Sequence, residues 1–340
     1  MTAAVAAGVG DLLAPFPSLR AGHYPTPLEA LPRLGAALGL TLSVKRDDLT
    51  GFAFGGNKTR QLDYYVGRAR AEGADTLLVT GAVQSNFVRA TAAYAARFGM
   101  GCHIQLEERV AGVGPLHRTN GNVLLDRLLG AQIHAYPEGE DEMGADLAVA
   151  RLAEGLRAEG RRPFAIPLGP EHPPIGALGY VAAAEELAVQ IGAGAWPQTI
   201  IVPSGSGLTH VGLLLGLRAL GIETPVLGIC VRRPAAPQEA RIGRRIDDLA
   251  RMLGIENPVA PKDIRLDDRA LAPGYGQPSA HVSEAIRLAA ATEGLFTDPV
   301  YTGKALAGLI LAAREGSLSG NVLFWHTGGL PALFAYADCL

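Results

Sequence analysis

Cysteine is scarce in this chain: Cys102, Cys230 and Cys339 are the only three, far apart and without a C-x-x-C pair. That spacing excludes a disulfide framework and a cysteine zinc site, and it fits a reducing compartment. Neither sign of charge dominates, with 30 Lys and Arg against 33 Asp and Glu for a formal net of -3. Electrostatics therefore gives no case for a nucleic-acid partner or an anionic membrane. No segment reaches the roughly 20 uninterrupted apolar residues of a membrane span. The first dozen residues lack a basic start before a sustained apolar core, so no signal peptide is expected. A soluble, cytoplasmic protein follows. There is no H-x-x-H, E-x-x-H or usefully spaced carboxylate pair, so no metal site is expected. There is also no G-x-S-x-G nucleophile elbow, fixed-period repeat or low-complexity linker.

What the sequence does have is punctuation. Its 43 glycines and 23 prolines are scattered among short apolar runs, as many tight strand-helix turns require. Runs such as Thr76–Thr80 and Thr199–Val202 read as buried strands. Amphipathic stretches follow them, among them 86–98, 143–159, 208–220 and 302–314. A helix is also expected over 28–38 and another over 120–129. Alternation of this kind predicts an α/β protein with mainly parallel sheets covered on both faces. At 340 residues the length suggests two domains, and the proline-rich join at 168–174 is the best boundary.

The stretch Gly55-Gly56-Asn57-Lys58-Thr59-Arg60 opens a helical pattern. A lysine there works against the helix dipole. Taken alone, Lys58 is either a solvated surface charge or a reactive amine with a lowered pKa. The loop Ser204-Gly205-Ser206-Gly207-Leu208-Thr209 follows an apolar strand and opens a helix, the usual place for a phosphate; a plain glycine turn is the other reading. It matches neither a P-loop nor a dinucleotide fingerprint, which disfavours a βαβ oxidoreductase. Gln84-Ser85-Asn86 ends another strand, where Ser85 is an N-cap or a ligand contact. Tyr275, Tyr301 and His326-Thr327-Gly328-Gly329 lie in further glycine-rich loops.

An amine, a phosphate cradle and strand-end hydroxyls together suit pyridoxal phosphate. These motifs, with Ala272-Pro273-Gly274-Tyr275-Gly276 and Pro299-Val300-Tyr301-Thr302-Gly303-Lys304, resemble the D-cysteine desulfhydrase and 1-aminocyclopropane-1-carboxylate (ACC) deaminase family, collinearly over residues 23 to 336. The resemblance implies the tryptophan synthase β-like fold (fold type II): two doubly wound three-layer αβα domains, usually in a homodimer. Residues 1–57 with 171–340 would form the large cofactor-binding domain, with 58–170 the small domain inserted in it. It implies Lys58 as the Schiff-base lysine, with Asn57 beside it. Asn86 would bond the cofactor's ring hydroxyl, Ser204 to Thr209 its phosphate, and Thr327 would lie near the ring nitrogen. Ser85 would serve the substrate carboxylate or proton transfer. Gln84, Phe87, Tyr275, Tyr301 and Thr302 would complete the substrate pocket.

The family's ACC deaminases resemble Tyr-Glu at positions 301 and 302, where the glutamate keeps the ring nitrogen protonated. Thr302 instead implies β-elimination from a small β-substituted amino acid such as D-cysteine, releasing pyruvate, ammonia and sulfide. L-Cysteate sulfo-lyase and ACC deaminase are the alternatives within the family, and a non-catalytic cofactor- or amino-acid-binding protein is the alternative outside it. Three positions depart from the pattern. Phe87 replaces a histidine, Gln61 a lysine that helps the phosphate, and Leu208 a small residue. Phe87 implies a larger or less polar β-substituent than a bare thiol.

Overall fold

The computed structural model describes residues 8–339, so the first seven residues of the expected large domain lie outside the described residues. In chain order the strands are Leu28–Ala30 (β1), Thr41–Arg46 (β2), Thr76–Ala82 (β3), Gly101–Glu107 (β4), Gln132–Tyr136 (β5), Pro163–Ile166 (β6), Thr199–Ser204 (β7), Val226–Cys230 (β8), Arg265–Asp267 (β9) and Asn321–His326 (β10). They form a six-stranded sheet in the order β1-β2-β10-β7-β8-β9 and a four-stranded sheet in the order β5-β4-β3-β6. Every pairing is parallel except β1 with β2. The fold is therefore α/β as the alternation predicts.

Both sheets are covered on both faces, and the two-residue period of their strands shows it. On β7, Ile200 joins one apolar cluster with Leu323 and Trp325 of β10. Its neighbour Ile201 joins the opposite cluster with Val322 and Phe324. Helices Leu178–Ile191 and Leu208–Ala219 contribute to the first cluster, Ala280–Glu293 and Thr302–Arg314 to the second. In the smaller sheet, Leu77 and Val79 face helix Asn86–Arg97, whereas Leu78 faces helix Glu142–Ala158. The whole of β3 is buried, which is why its sequence reads as a continuous apolar run rather than an alternating one.

The N-terminal region differs from expectation. The span expected as one helix over 28–38 divides into the edge strand β1 and helix Pro32–Leu38. Proline at the first helical position presets the backbone there and needs no N–H. The helix expected over 120–129 begins at Asn122, because Gly121 at φ 60° separates it from the short helix Leu116–Thr119. The three-residue edge strand β9 carries no period long enough to read from sequence.

Candidate active site

The C-terminal ends of β3, β7 and β10 and the start of helix Asn57–Ala71 converge on one cleft between the sheets. Open parallel sheets bind ligands at such strand ends. Lys58 is the second residue of its helix, after Gly56 at φ 105°. Close backbone contact fixes that start: Asn57 N donates to Thr327 O at 3.0 Å. A Cβ on Gly328 would come within 2.6 Å of Gly56 Cα. Lys58 keeps part of its surface open to the cleft. Its amine donates to Gln61 Oε1 at 3.3 Å and lies 5.4 Å from the centre of the Phe87 ring. Burial lowers its pKa from 10.5 to about 8.

At the end of β7 the chain turns through Gly207, φ 96°, into helix Leu208–Ala219, whose start has no side-chain cap. The first-turn N–H groups are thus left for a ligand. The Thr209 hydroxyl accepts from Asn57 Nδ2 at 2.9 Å and from Gln61 Nε2 at 3.2 Å. With both lone pairs engaged, its proton remains to be donated. Gly205, Ser206 and Leu208 also line the cleft. Ser204 does not: its hydroxyl accepts from Gln238 Nε2 at 3.0 Å and meets His210 Nδ1 at 3.4 Å behind the loop.

Ser85 caps helix Asn86–Arg97, accepting from Val88 N at 3.3 Å, and also lines the cleft. The N-cap and ligand readings of this serine are therefore compatible. Asn86 Oδ1 accepts from Asn122 Nδ2 at 3.0 Å, which leaves the Asn86 NH2 for a ligand. Gln84 points away. It donates to the carbonyls of His117 at 2.6 Å and Asn120 at 3.0 Å, and accepts from Asn122 N at 2.9 Å. Its place is in bracing the neighbouring loop rather than lining the cleft.

Tyr275 and Tyr301 face each other with their hydroxyls 2.5 Å apart. Burial raises the pKa of both phenols, so both are neutral. Lys304 holds the Tyr275 loop by donating to the carbonyls of Leu271 and Gly274, each at 2.5 Å. Thr302 lies behind the cleft wall, not in it. Its hydroxyl donates to Asp298 Oδ1 at 2.7 Å, and the same carboxylate accepts the N–H groups of Val300, Tyr301 and Thr302. The Asp298 carboxylate holds Thr302 there, and Thr327 is the threonine that lines the cleft.

Sequence motifs did not mark the charged side of the cleft. Arg109, Arg232, Arg241, Arg245 and Glu142 all line it. Glu142 bonds Arg232 and Arg233, each at 2.5 Å, and Arg241 at 3.1 Å. Burial works against its carboxylate, yet these arginines hold its pKa down at about 2. The signal for two of them was the position of Arg241 and Arg245 within the Ile242, Ile246 and Leu249 stripe of helix Ala235–Leu253, where solvated charges do not belong.

Residues 19–328 match the pyridoxal-phosphate dependent enzyme family. The chain belongs to that family. A D-cysteine desulfhydrase of Salmonella choleraesuis (strain SC-B67) is 43% identical over 323 residues, covering 94% of this chain and 96% of the relative. The crystal structure of an ACC deaminase homologue superposes with a TM-score of 0.88 at 35% identity over 98% of each chain. A fungal L-serine ammonia-lyase from Rhizomucor miehei shares the fold at a TM-score of 0.65 and 21% identity, over 93% of this chain and 98% of that one. The donor set suits the family's cofactor. A desolvated amine stands beside an uncapped helix start, with the Thr209 hydroxyl left as a donor and the Asn86 amide opposite.

Proposed function

We propose that this enzyme carries out pyridoxal-phosphate dependent β-elimination on D-cysteine or a close β-substituted relative, giving pyruvate, ammonia and the departing group. The observation that carries this is the Lys58 amine, lowered to about 8 and set between the helix-start cradle and the Tyr275–Tyr301 pair. The bound cofactor supplies an electron sink next to the substrate's Cα. Lys58 would hold its aldehyde, Asn57 and the loop from Gly205 to Thr209 its phosphate end, Asn86 its ring hydroxyl and Thr327 its ring nitrogen. The Lys58 amine would be the group to take the Cα proton, for which a pKa near working pH is favourable. The Ser85 hydroxyl accepts the Val88 N–H and lines the cleft, so its proton is free to be donated to a substrate carboxylate. The neutral tyrosine pair gives a proton to the departing sulfur. Among the described cleft residues the only carboxylate is Glu142, which three arginines hold. Elimination with a good leaving group is therefore favoured over the ring opening of ACC.

Phe87 covers the lysine side of the pocket and favours an apolar or bulkier substituent on Cβ. The test is pyruvate release from D- and L-cysteine, S-alkyl-D-cysteine, 3-chloro-D-alanine, L-cysteate and ACC. D-Cysteine and 3-chloro-D-alanine should release pyruvate, and a yellow colour should vanish with activity in Lys58→Ala. Colour without release from any of these substrates would mean a non-catalytic binder. A large preference for D-cysteine over every S-alkyl analogue would refute the Phe87 part. Residues 58–170 are proposed as a small domain inserted in the large cofactor-binding domain of 1–57 with 171–340. A cytoplasmic homodimer completes the proposal. The buried free thiols of Cys102 and Cys230 support the reducing compartment, and light scattering tests the dimer. Among the described residues no helix is long and apolar enough to cross a membrane.

A further inference from the structure

The cradle described above is built from neutral donors: backbone N–H groups, the Thr209 hydroxyl and the amides of Asn57 and Gln61. A phosphate monoester carries about -1.5 to -2 charges. Burying that charge without a cation is unfavourable. Lys58 cannot be the counter-charge while its amine is engaged with the cofactor's aldehyde. Gln61, which bridges Lys58 and Thr209, is neutral.

Helix Ala235–Leu253 presses one face against this loop. A Cβ on Gly207 would lie 2.7 Å from Ile242 Cδ1. Gln238 donates to Gly205 O at 3.1 Å and Arg241 to Ser206 O at 3.2 Å. Arg245 is next on that face, one turn on. It is 3% exposed and lines the cleft. Its two terminal nitrogens donate to the carbonyls of His172 at 2.7 Å and Gly169 at 2.8 Å. Its Nε has no partner, and among the described residues it pairs with no carboxylate. Arg241, by contrast, is committed to Glu142. A buried guanidinium without an anion is costly, and the cofactor's phosphate is an anion of the kind it can bind.

We propose that Arg245 supplies the counter-charge for the cofactor phosphate that neutral Gln61 does not, with Arg241 holding the loop beside it. This rests on the cofactor reading above. The test uses cofactor-stripped full-length protein, titrated by absorbance with pyridoxal phosphate and, in parallel, with pyridoxal, which has no phosphate. Arg245→Gln should weaken pyridoxal phosphate binding about 10- to 100-fold, as for a hydrogen bond to a charged group, and leave pyridoxal binding unchanged. Arg245→Lys should keep most of the affinity. Gln61→Lys placed on top of Arg245→Gln should restore it from the Lys58 helix.

Arg245 also ties down the segment 169–172, so a purely structural role has its own signature. Equal weakening of both ligands, with a lower melting temperature of the stripped protein and no rescue by Gln61→Lys, would overturn the proposal. Unchanged pyridoxal phosphate binding in Arg245→Gln would overturn it too. If the unaltered protein took up neither ligand, the cofactor reading itself would fail and take this proposal with it.

Discussion

Two buried ionic clusters flank the helix that carries Lys58, and they are built on opposite plans. Behind the helix, Arg60 and Lys45 meet Asp47 and Glu186, two cations with two anions. Tyr180 and Trp325 also donate to Asp47, at 2.6 and 2.8 Å. Burial would raise the Asp47 carboxyl, but Arg60 and these donors hold it below its ordinary value. In front, Arg232, Arg233 and Arg241 share Glu142, Glu140 reaches Arg232 from the solvent side, and Arg245 has no carboxylate. The rear cluster is balanced and complete without a ligand, so its energy goes into holding the helix start. The front cluster has cations to spare and faces the cleft. A surplus of one sign in a buried place marks a ligand more reliably than the presence of charge does.

The comparison can be broken most directly at Asp47. Asp47→Ala should cost about 3–5 kcal/mol in urea unfolding, because it leaves Arg60 and Lys45 with Glu186 alone and takes the acceptor from Tyr180 and Trp325. An unchanged unfolding midpoint would erase the distinction between the clusters.

Lys58 gives the next effect, with the opposite sign. Its folded pKa of about 8 lies below 10.5, so below pH 8 the native stripped protein carries the whole desolvation penalty. Between 8 and 10.5 the unfolded chain binds the extra proton, and stability rises with pH. Lys58→Met should therefore stabilise the stripped protein by about 1–3 kcal/mol at pH 7. Thermal melts across this range should show that gain fading by pH 10.5.

Glu142 sharpens the comparison at acid pH. Its pKa is depressed to about 2 from 4.5, so it contributes stability above pH 4.5 that is lost as pH falls towards 2. Glu142→Gln should cost about 1–2 kcal/mol at pH 7 and flatten that acid limb in denaturant titrations. The exposed Arg314–Glu284 pair sets the floor. Glu284→Gln should cost less than about 0.5 kcal/mol by the same measurement.

How much of this was legible in the sequence follows from where the information is stored. Helix 302–314, the buried β3 run and the helix start at Leu208 are local patterns, and they appear as expected. Lys58, Ser85, Asn86, Thr209, Tyr275, Tyr301 and Thr327 all line the cleft, as their loop positions suggested. Gln84, Ser204 and Thr302 sit in the same motifs but turn away, each captured by a nearby partner. A motif fixes where the backbone goes; which neighbour wins a side chain is a tertiary matter. The arginines were hidden for the same reason, since Arg232 and Glu142 are 90 residues apart and meet only in three dimensions.

The contact between Gly56 and Gly328 also bears on how the protein is made. β10, near the end of the chain, is inserted between β2 and β7 in the middle of the six-stranded sheet. The Thr327 carbonyl that fixes the Lys58 helix belongs to the loop after it. A chain still on the ribosome can fold its early segments first. It has no finished lysine site until that strand emerges, so cofactor loading waits for residues 321–327, and a product truncated before residue 321 would lack the central strand.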